Sequence, residues 1–445
     1  MQWILIPARR WNYDAVFYYT TLEDYANAIT KIISLPYKKC DWGWVDHMNI
    51  FMVGEYYSPN LIGGAEVQAM MRAEGLARTG QKVRVISFDS NKGTIIEETI
   101  NGVKVTRYPI RTHKAKMLAL SMPVAQALWK HEHEADIYHL YNTHPMPGGG
   151  LYKASGGKKK VIATLENYGG FCPVSTAMSG NCDFLCRYSC LSRSSISTVE
   201  KVIAFPYASA YHFIELLSKK LDGFIAVSEY VRQKYAQHGF NPNKIRVVPN
   251  SIDINNYKQP KAEHSGINIL YVGRMSIEKG VDVLIRAFKR ISETYDYARL
   301  VLVGSGPLLE SYIALASKLG IQGKVTFTGH ASNEIREYYY SIADVFVHPA
   351  LWHEPFGMTL LEAMAHEVPV VVSNVGSLRQ IVKDAGLIFD SGSVEGLASQ
   401  LAYLIEDRNR INGLLAKCKS GVKDYSEGEI LETLTQIYES MINNG

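Results

Sequence analysis

Short apolar runs alternate along this chain with stretches in which apolar residues recur every three or four positions. NIFMVG (49–54) is followed by the helix-patterned AEVQAMMRAEGLARTG (65–80) and then by KVRVISF (82–88). DIYHL (136–140), KVIATL (160–165), GFIAVS (223–228) and IRVVP (245–249) continue the series. Runs apolar along their whole length and separated by helices are what a parallel sheet covered on both faces requires.

At 258–266 the texture changes to KQPKAEHSG, polar and carrying a proline, which reads as a linker. The alternation restarts with INILYVG (267–273), RLVLVG (299–304), KVTFTG (324–329), DVFVHP (344–349), VPVVVS (368–373) and GLIFD (386–390). The pattern predicts two doubly wound, Rossmann-like α/β domains, 48–262 and 263–445, with the last helix a candidate to pack back on the first domain. Sheets of this kind bind ligands at the carboxyl ends of their strands, so a cleft between the two domains is expected. Residues 1–47 do not fit the pattern. They are rich in aromatics and lie upstream of a complete first strand, which leaves three readings open: an upstream start codon, a docking arm, or a membrane-contacting segment.

At 445 residues the chain is too long for one ordinary core. With 47% apolar and 20% charged residues, the composition suits a folded chain with a substantial core rather than a disordered one. A net charge of +4 is too weak to argue for nucleic acid, though it suits an anionic substrate or membrane surface. No run approaches the roughly 18 apolar residues of a spanning helix, and the N-terminus lacks the order of a secretory signal. The expectation is a cytoplasmic protein, either fully soluble or peripheral at the cytoplasmic membrane face.

Chemistry concentrates at two places in the second domain. In His353-Glu354-Pro355-Phe356-Gly357-Met358-Thr359-Leu360-Leu361-Glu362 the chain is broken by Pro355 and Gly357, and good helix formers then resume. Free backbone N–H groups of Gly357, Met358 and Thr359 would open a helix after a buried strand, an anion site suited to a diphosphate. Glu354 lies in the loop and Glu362 more than a turn into the helix, so the two acids should meet different parts of one elongated ligand. Gly273-Arg274-Met275-Ser276-Ile277-Glu278-Lys279-Gly280 follows another strand and offers two cations: Arg274 can fork two phosphate oxygens, and Lys279 adds a point charge. Each segment taken singly also reads as an ordinary solvated loop.

Together these segments, with VGSGPLLE and VPVVVSNVGS, closely resemble the retaining GT-B glycosyltransferases of family 4. YYSPNLIGGAEVQAM (56–70) is similar to that family's glycine loop, and VVPNSID (247–253) to its crossing between domains. The resemblance implies a GT-B fold and transfer, with retention of anomeric configuration, from a nucleotide-diphosphate sugar to a glycan, lipid or small-molecule acceptor. It implies that Arg274 and Lys279 hold the donor diphosphate, with Gly63, Gly64, Gly357, Met358 and Thr359 beside them. Glu354 would meet the sugar hydroxyls and Glu362 the ribose. No cofactor is required for catalysis on this reading, because the two cations take a metal's electrostatic role. A nucleotide-sugar epimerase and a catalytically silent sugar-nucleotide-binding or scaffold protein are the rival readings.

The family's His-x-His pair is altered here. The order is His139-Leu140-Tyr141-Asn142-Thr143-His144, so Tyr141 stands at the second position and His144 either compensates or is an uninvolved surface residue. Glu166 and Asn167 head the next loop and are weaker candidates for acceptor contact. That loop runs into Cys172, Cys182, Cys186 and Cys190. A structural zinc site, reduced thiols and an iron–sulfur site all remain open for these. Gly304-Ser305-Gly306-Pro307 lacks the third glycine of a dinucleotide loop and reads as a structural turn.

Overall fold

The computed structural model describes residues 47–443 except 61–62, 91–92, 110–115, 174, 177–185, 187–209 and 258–263. Residues 48–445 form one compact unit. The N-terminal stretch discussed above lies, but for His47, outside the described residues.

The first sheet has eight strands: β1 Asn49–Gly54, β2 Lys82–Ser90, β3 Ile96–Ile100, β4 Val103–Pro109, β5 Ile137–Tyr141, β6 Lys160–Leu165, β7 Gly223–Ala226 and β8 Ile245–Val247. Their order is β3-β4-β2-β1-β5-β6-β7-β8, with β3 alone antiparallel among these strands. The β3–β4 hairpin was not anticipated. It turns through Asn101 (φ 49°) and Gly102 (φ 83°), the Asn-Gly pair whose positive φ values suit a tight hairpin. Its edge strand is exposed and polar, so the apolar-run criterion passes over it.

The second sheet is parallel throughout: β9 Ile267–Val272, β10 Ala298–Val303, β11 Val325–Gly329, β12 Val345–His348, β13 Val370–Ser373 and β14 Gly386–Phe389. Its order, β11-β10-β9-β12-β13-β14, reverses direction between β9 and β12, where Val345 pairs with Ile269 and Phe346 with Leu270. The first sheet reverses in the same way between β1 and β5. Loops diverge from the carboxyl ends of strands at such points and leave a crevice. This is the GT-B architecture, two Rossmann-like sheets in one chain.

The closing helix, Glu427–Asn443, returns to the first sheet. Ile430, Leu431, Leu434 and Tyr438 are buried in the cluster that contains Met48, Ile50 and Met52. Each such side chain contributes roughly 1.5–3 kcal/mol on leaving water. Tyr438 also hydrogen-bonds His139 Nδ1 at 2.6 Å, and His139 Nε2 meets Thr164 Oγ1 at 2.6 Å. Burial holds His139 well below its ordinary value, so this imidazole is a neutral structural tie. Among the described residues no helix is long and apolar enough to cross a membrane.

Candidate active site

Two loops of the second sheet are strapped together beyond β9 and β12. The backbone N–H groups of Leu351 and Trp352 donate to the carbonyl oxygen of Glu278 at 2.9 and 3.3 Å. Gly280 (φ 64°) passes so close to Pro349 that a Cβ would lie 2.1 Å from its carbonyl oxygen, so a side chain there would push the loops apart. The result brings residues 75 positions apart into contact: Lys279 Nζ donates to Glu354 Oε2 at 2.7 Å. Trp352 Nε1 donates to the same oxygen at 2.7 Å, and His348 Nε2 stands 3.4 Å from it. Burial alone would push the Glu354 carboxyl up, but the Lys279 ammonium and the His348 imidazole outweigh it and hold it well below the usual carboxylate range.

Arg274 is exposed, and its side chain has no partner among the described residues. Its backbone is fixed, however. Tyr271 Oη donates to its carbonyl at 2.9 Å, and Met275 N donates to Ser305 O at 2.9 Å. Gly304 (φ 132°) and Gly306 let the Gly-Ser-Gly-Pro turn pass against Gly273 and Met275, so this segment buttresses the Arg274 loop. That is the physical content of reading it as a structural turn.

The helix Met358–Ala365 begins at Gly357 (φ 98°), with no side-chain cap. It buries Leu360, Leu361, Ala363 and Met364, which fixes its axis and leaves the first-turn amides of Met358 and Thr359 without an intrahelical acceptor. Opposite, the helix Gly64–Arg78 starts at Gly63, also without a side-chain cap. A Cβ on Gly64 would lie 3.8 Å from Met358 Cγ, so the two helix starts nearly touch across the crevice. Each carries roughly half a positive charge, and their approach is unfavourable until an anion lies between or beside them. Glu362, further along its helix, accepts from Tyr340 Oη at 3.0 Å. Burial raises its carboxyl, while Arg336 and the Tyr340 hydroxyl oppose that.

On the first sheet, His144 Nδ1 meets Glu55 Oε2 at 2.6 Å, with Glu55 buried just beyond β1. Asn167 Nδ2 donates to Asn142 Oδ1 at 2.6 Å, and Gly169 N donates to Asn167 Oδ1 at 2.7 Å, so Asn167 organises its own loop. Glu166 Oε2 accepts from Asn250 Nδ2 at 2.9 Å, and burial raises its carboxyl against the pull of Arg72 and Asn250. Tyr141 is enclosed rather than presented at a surface. Its ring lies 5.9 Å from the Arg72 guanidinium carbon, and burial pushes its phenol up to about 12. Cys172 is buried and Cys186 half-buried, whereas Cys182 and Cys190 lie outside the described residues. Among the described residues no group of three or more His, Cys, Asp or Glu side chains is arranged to hold a metal.

Four contributors escaped the sequence reading: Trp352, His348, Glu55 and Arg72. Arg72 is fully buried and donates to Pro249 O and Asn250 Oδ1, each at 3.0 Å, tying the glycine-loop helix to the crossing between domains. An arginine on the apolar face of a predicted helix was the signal available for it. Trp352 and His348 had none, because nothing in their spacing says that they face Glu354.

Two family descriptions cover most of this chain: Glycosyltransferase Family 4 over residues 62–256 and Glycosyl transferases group 1 over 253–420. An uncharacterized glycosyltransferase of Methanocaldococcus jannaschii is 31% identical over 76% of this chain and 83% of its own length. The chain belongs to glycosyltransferase family 4, and it is a GT-B glycosyltransferase. A phosphatidyl-myo-inositol mannosyltransferase of Mycolicibacterium smegmatis is 22% identical over 87% of this chain and 93% of its own. Among solved structures, sucrose-phosphate synthase from Thermosynechococcus elongatus superposes with a TM-score of 0.69 at 19% identity, over 90% of this chain and all of that one. Anabaena HepE in complex with UDP-glucose does so with 0.65 at 18%, over 88% of this chain and all of its own.

Proposed function

We propose that this glycosyltransferase moves a sugar from a nucleoside diphosphate donor to an acceptor hydroxyl with retention of configuration. The observation that carries the reading is the meeting of Gly64 with Met358 at the start of the helix that follows Glu354, the acid that Lys279 pairs with. A diphosphate there would be stabilised by the two helix starts and by Lys279, and the Glu354 carboxylate would accept from the sugar hydroxyls. Arg274, exposed and unengaged among the described residues, is available to close on the distal phosphate. Glu362 would accept from the ribose hydroxyls.

As the bond between the anomeric carbon and the phosphate oxygen breaks, negative charge grows on the leaving diphosphate, and Lys279, Arg274 and the Met358 amide stabilise it. The acceptor oxygen bonds to the anomeric carbon on the same face, and its proton leaves on the departing phosphate oxygen. Electrostatics of this kind is worth more in a crevice shielded from water than in solution. The acceptor, a glycan, a lipid or a small molecule, would lie against His144, Glu166 and Asn167 of the first sheet. The mycobacterial relative, a phosphatidyl-myo-inositol mannosyltransferase, supports a lipid-linked acceptor, and HepE, held with UDP-glucose, supports the donor class.

A thermal-shift panel of nucleotide sugars tests the donor. The right one at about 100 times its dissociation constant stabilises the fold by roughly 2.7 kcal/mol. NMR of the product then reads the anomer formed. Epimerised free donor in place of transfer or hydrolysis would favour the epimerase reading instead.

A further inference from the structure

Three donors converge on one atom. Lys279 Nζ at 2.7 Å, Trp352 Nε1 at 2.7 Å and His348 Nε2 at 3.4 Å all meet Glu354 Oε2. Nothing among the described residues donates to Oε1, although the side chain as a whole is largely buried. The three donors differ in what they fix. An ammonium on a four-carbon stem is a rotatable point charge and would follow the carboxylate through a range of orientations. An indole has one N–H on a rigid ring, so its direction is set once the ring is set.

The ring is met on two sides and its backbone is held. Lys279 Nζ lies 5.1 Å from its centroid, a cation–π contact. Tyr168, from the first sheet's loop after β6, meets it edge-on at 6.4 Å with an interplanar angle of 84°. The Trp352 backbone N–H is held by Glu278 O. One side chain therefore touches the acid, the cation and the opposite domain.

We propose that Trp352 is a positioning residue for sugar transfer: its indole N–H pins Oε2 of Glu354, so that Oε1 is the oxygen offered to a hydroxyl of the donor sugar. The inference rests on the donor-site reading above and deepens it by dividing the two carboxylate oxygens between protein and sugar. A pinned carboxylate cannot turn to follow a displaced hydroxyl. Discrimination at that sugar carbon then comes from Trp352 as much as from Glu354, since a site built to pair with one hydroxyl rejects a donor that lacks it.

The test uses the full chain and three probes: the sugar nucleotide that the parent turns over, analogues each lacking one sugar hydroxyl, and the nucleoside diphosphate alone. Trp352→Phe keeps a ring and removes the N–H. Replacement of Trp352 by benzothienylalanine, which carries sulfur where tryptophan has N–H, keeps the shape as well and covers the case in which the phenylalanine variant fails to fold. Single-turnover transfer is expected to fall roughly ten- to a hundredfold, the size of one lost hydrogen bond to a charged group. Affinity for the nucleoside diphosphate, which has no sugar to position, stays within twofold. The penalty for deleting the critical sugar hydroxyl, large in the parent, shrinks in the variant, because the two losses are one interaction. Transfer at the parent rate, or nucleoside diphosphate affinity lost in step with transfer, overturns the proposal while leaving the donor site standing. A parent that neither binds a nucleoside diphosphate nor turns over any sugar nucleotide overturns both.

Discussion

The Tyr168 hydroxyl donates to the carbonyl oxygen of His353 at 2.7 Å, fastening a loop of the first sheet to the residue just before Glu354. Ser228 Oγ donates to Pro355 O at 2.8 Å, just after it. Between these two, Ser377 N takes the carbonyl of Glu354 itself at 2.9 Å. Three consecutive carbonyls of the donor loop are thus held, two of them from the opposite domain. Tyr168→Phe and Ser228→Ala should each cost about 1 kcal/mol in denaturant unfolding. Each should lower transfer more than nucleotide affinity, which single-turnover kinetics beside calorimetric binding will read.

Lys279→Ala and Glu354→Gln should both slow transfer, by about 3 kcal/mol of barrier where the lost group stabilises developing charge, with circular dichroism unchanged. The Glu354 carboxyl is depressed in the fold, so its contribution to stability is present above the unfolded carboxyl value near ~4.3. That contribution is lost as the pH falls towards the lower folded value. The stability difference between parent and Glu354→Gln should therefore narrow as the pH is lowered from about 5. A difference independent of pH would contradict the pairing with Lys279.

Glu362 has the opposite sign. Burial raises its carboxyl, so its contribution is fully present below the unfolded value and is lost as the pH rises through the folded one. Glu362→Gln should unfold at a higher temperature than the parent at pH 7, lose that advantage near pH 4, and bind the donor more weakly. Melting curves at the two pH values, with one donor titration, check all three.

Gly376 (φ 58°) runs against Glu354: a Cβ there would lie 2.3 Å from its carbonyl oxygen and 2.5 Å from its nitrogen. Alanine at this position must shift that backbone and hold a left-handed conformation, at a cost on the order of 1–3 kcal/mol. Transfer should fall with stability in Gly376→Ala, while Gly413→Ala, where a Cβ meets nothing within 4 Å, should leave transfer unchanged. Equal activity in both variants would contradict the account of the loop.

For the cysteines, elemental analysis of the purified chain should give about one zinc, held by Cys172, Cys182, Cys186 and Cys190 under a four-thiolate scheme. Metal-free protein of full stability with all four thiols titratable would remove that scheme.

Much of the fold was legible because it is local. The runs read at 49–54 and 160–165 are β1 and β6 at both ends, since a strand buried on both faces leaves an unbroken apolar signal. The helix Met358–Ala365 was bounded by the glycine before it and the good helix formers within it. The β3–β4 hairpin was missed because an exposed edge strand carries no such run.

By itself the sequence determined two series of buried parallel strands, the helix start after Gly357, and the residue types suited to a diphosphate and a sugar. Sheet order decided the rest. It seats β9 beside β12, and that neighbourhood joins Lys279 to Glu354 and leaves Arg274 exposed. It turns Trp352 and His348 onto a single carboxylate oxygen. The packing of the two sheets brings Gly64 to Met358 and Tyr168 to His353. Periodicity reports which face of a strand or helix is buried, but not which distant segment buries it. A site assembled at the switch points of two sheets therefore exists only once both sheets have formed.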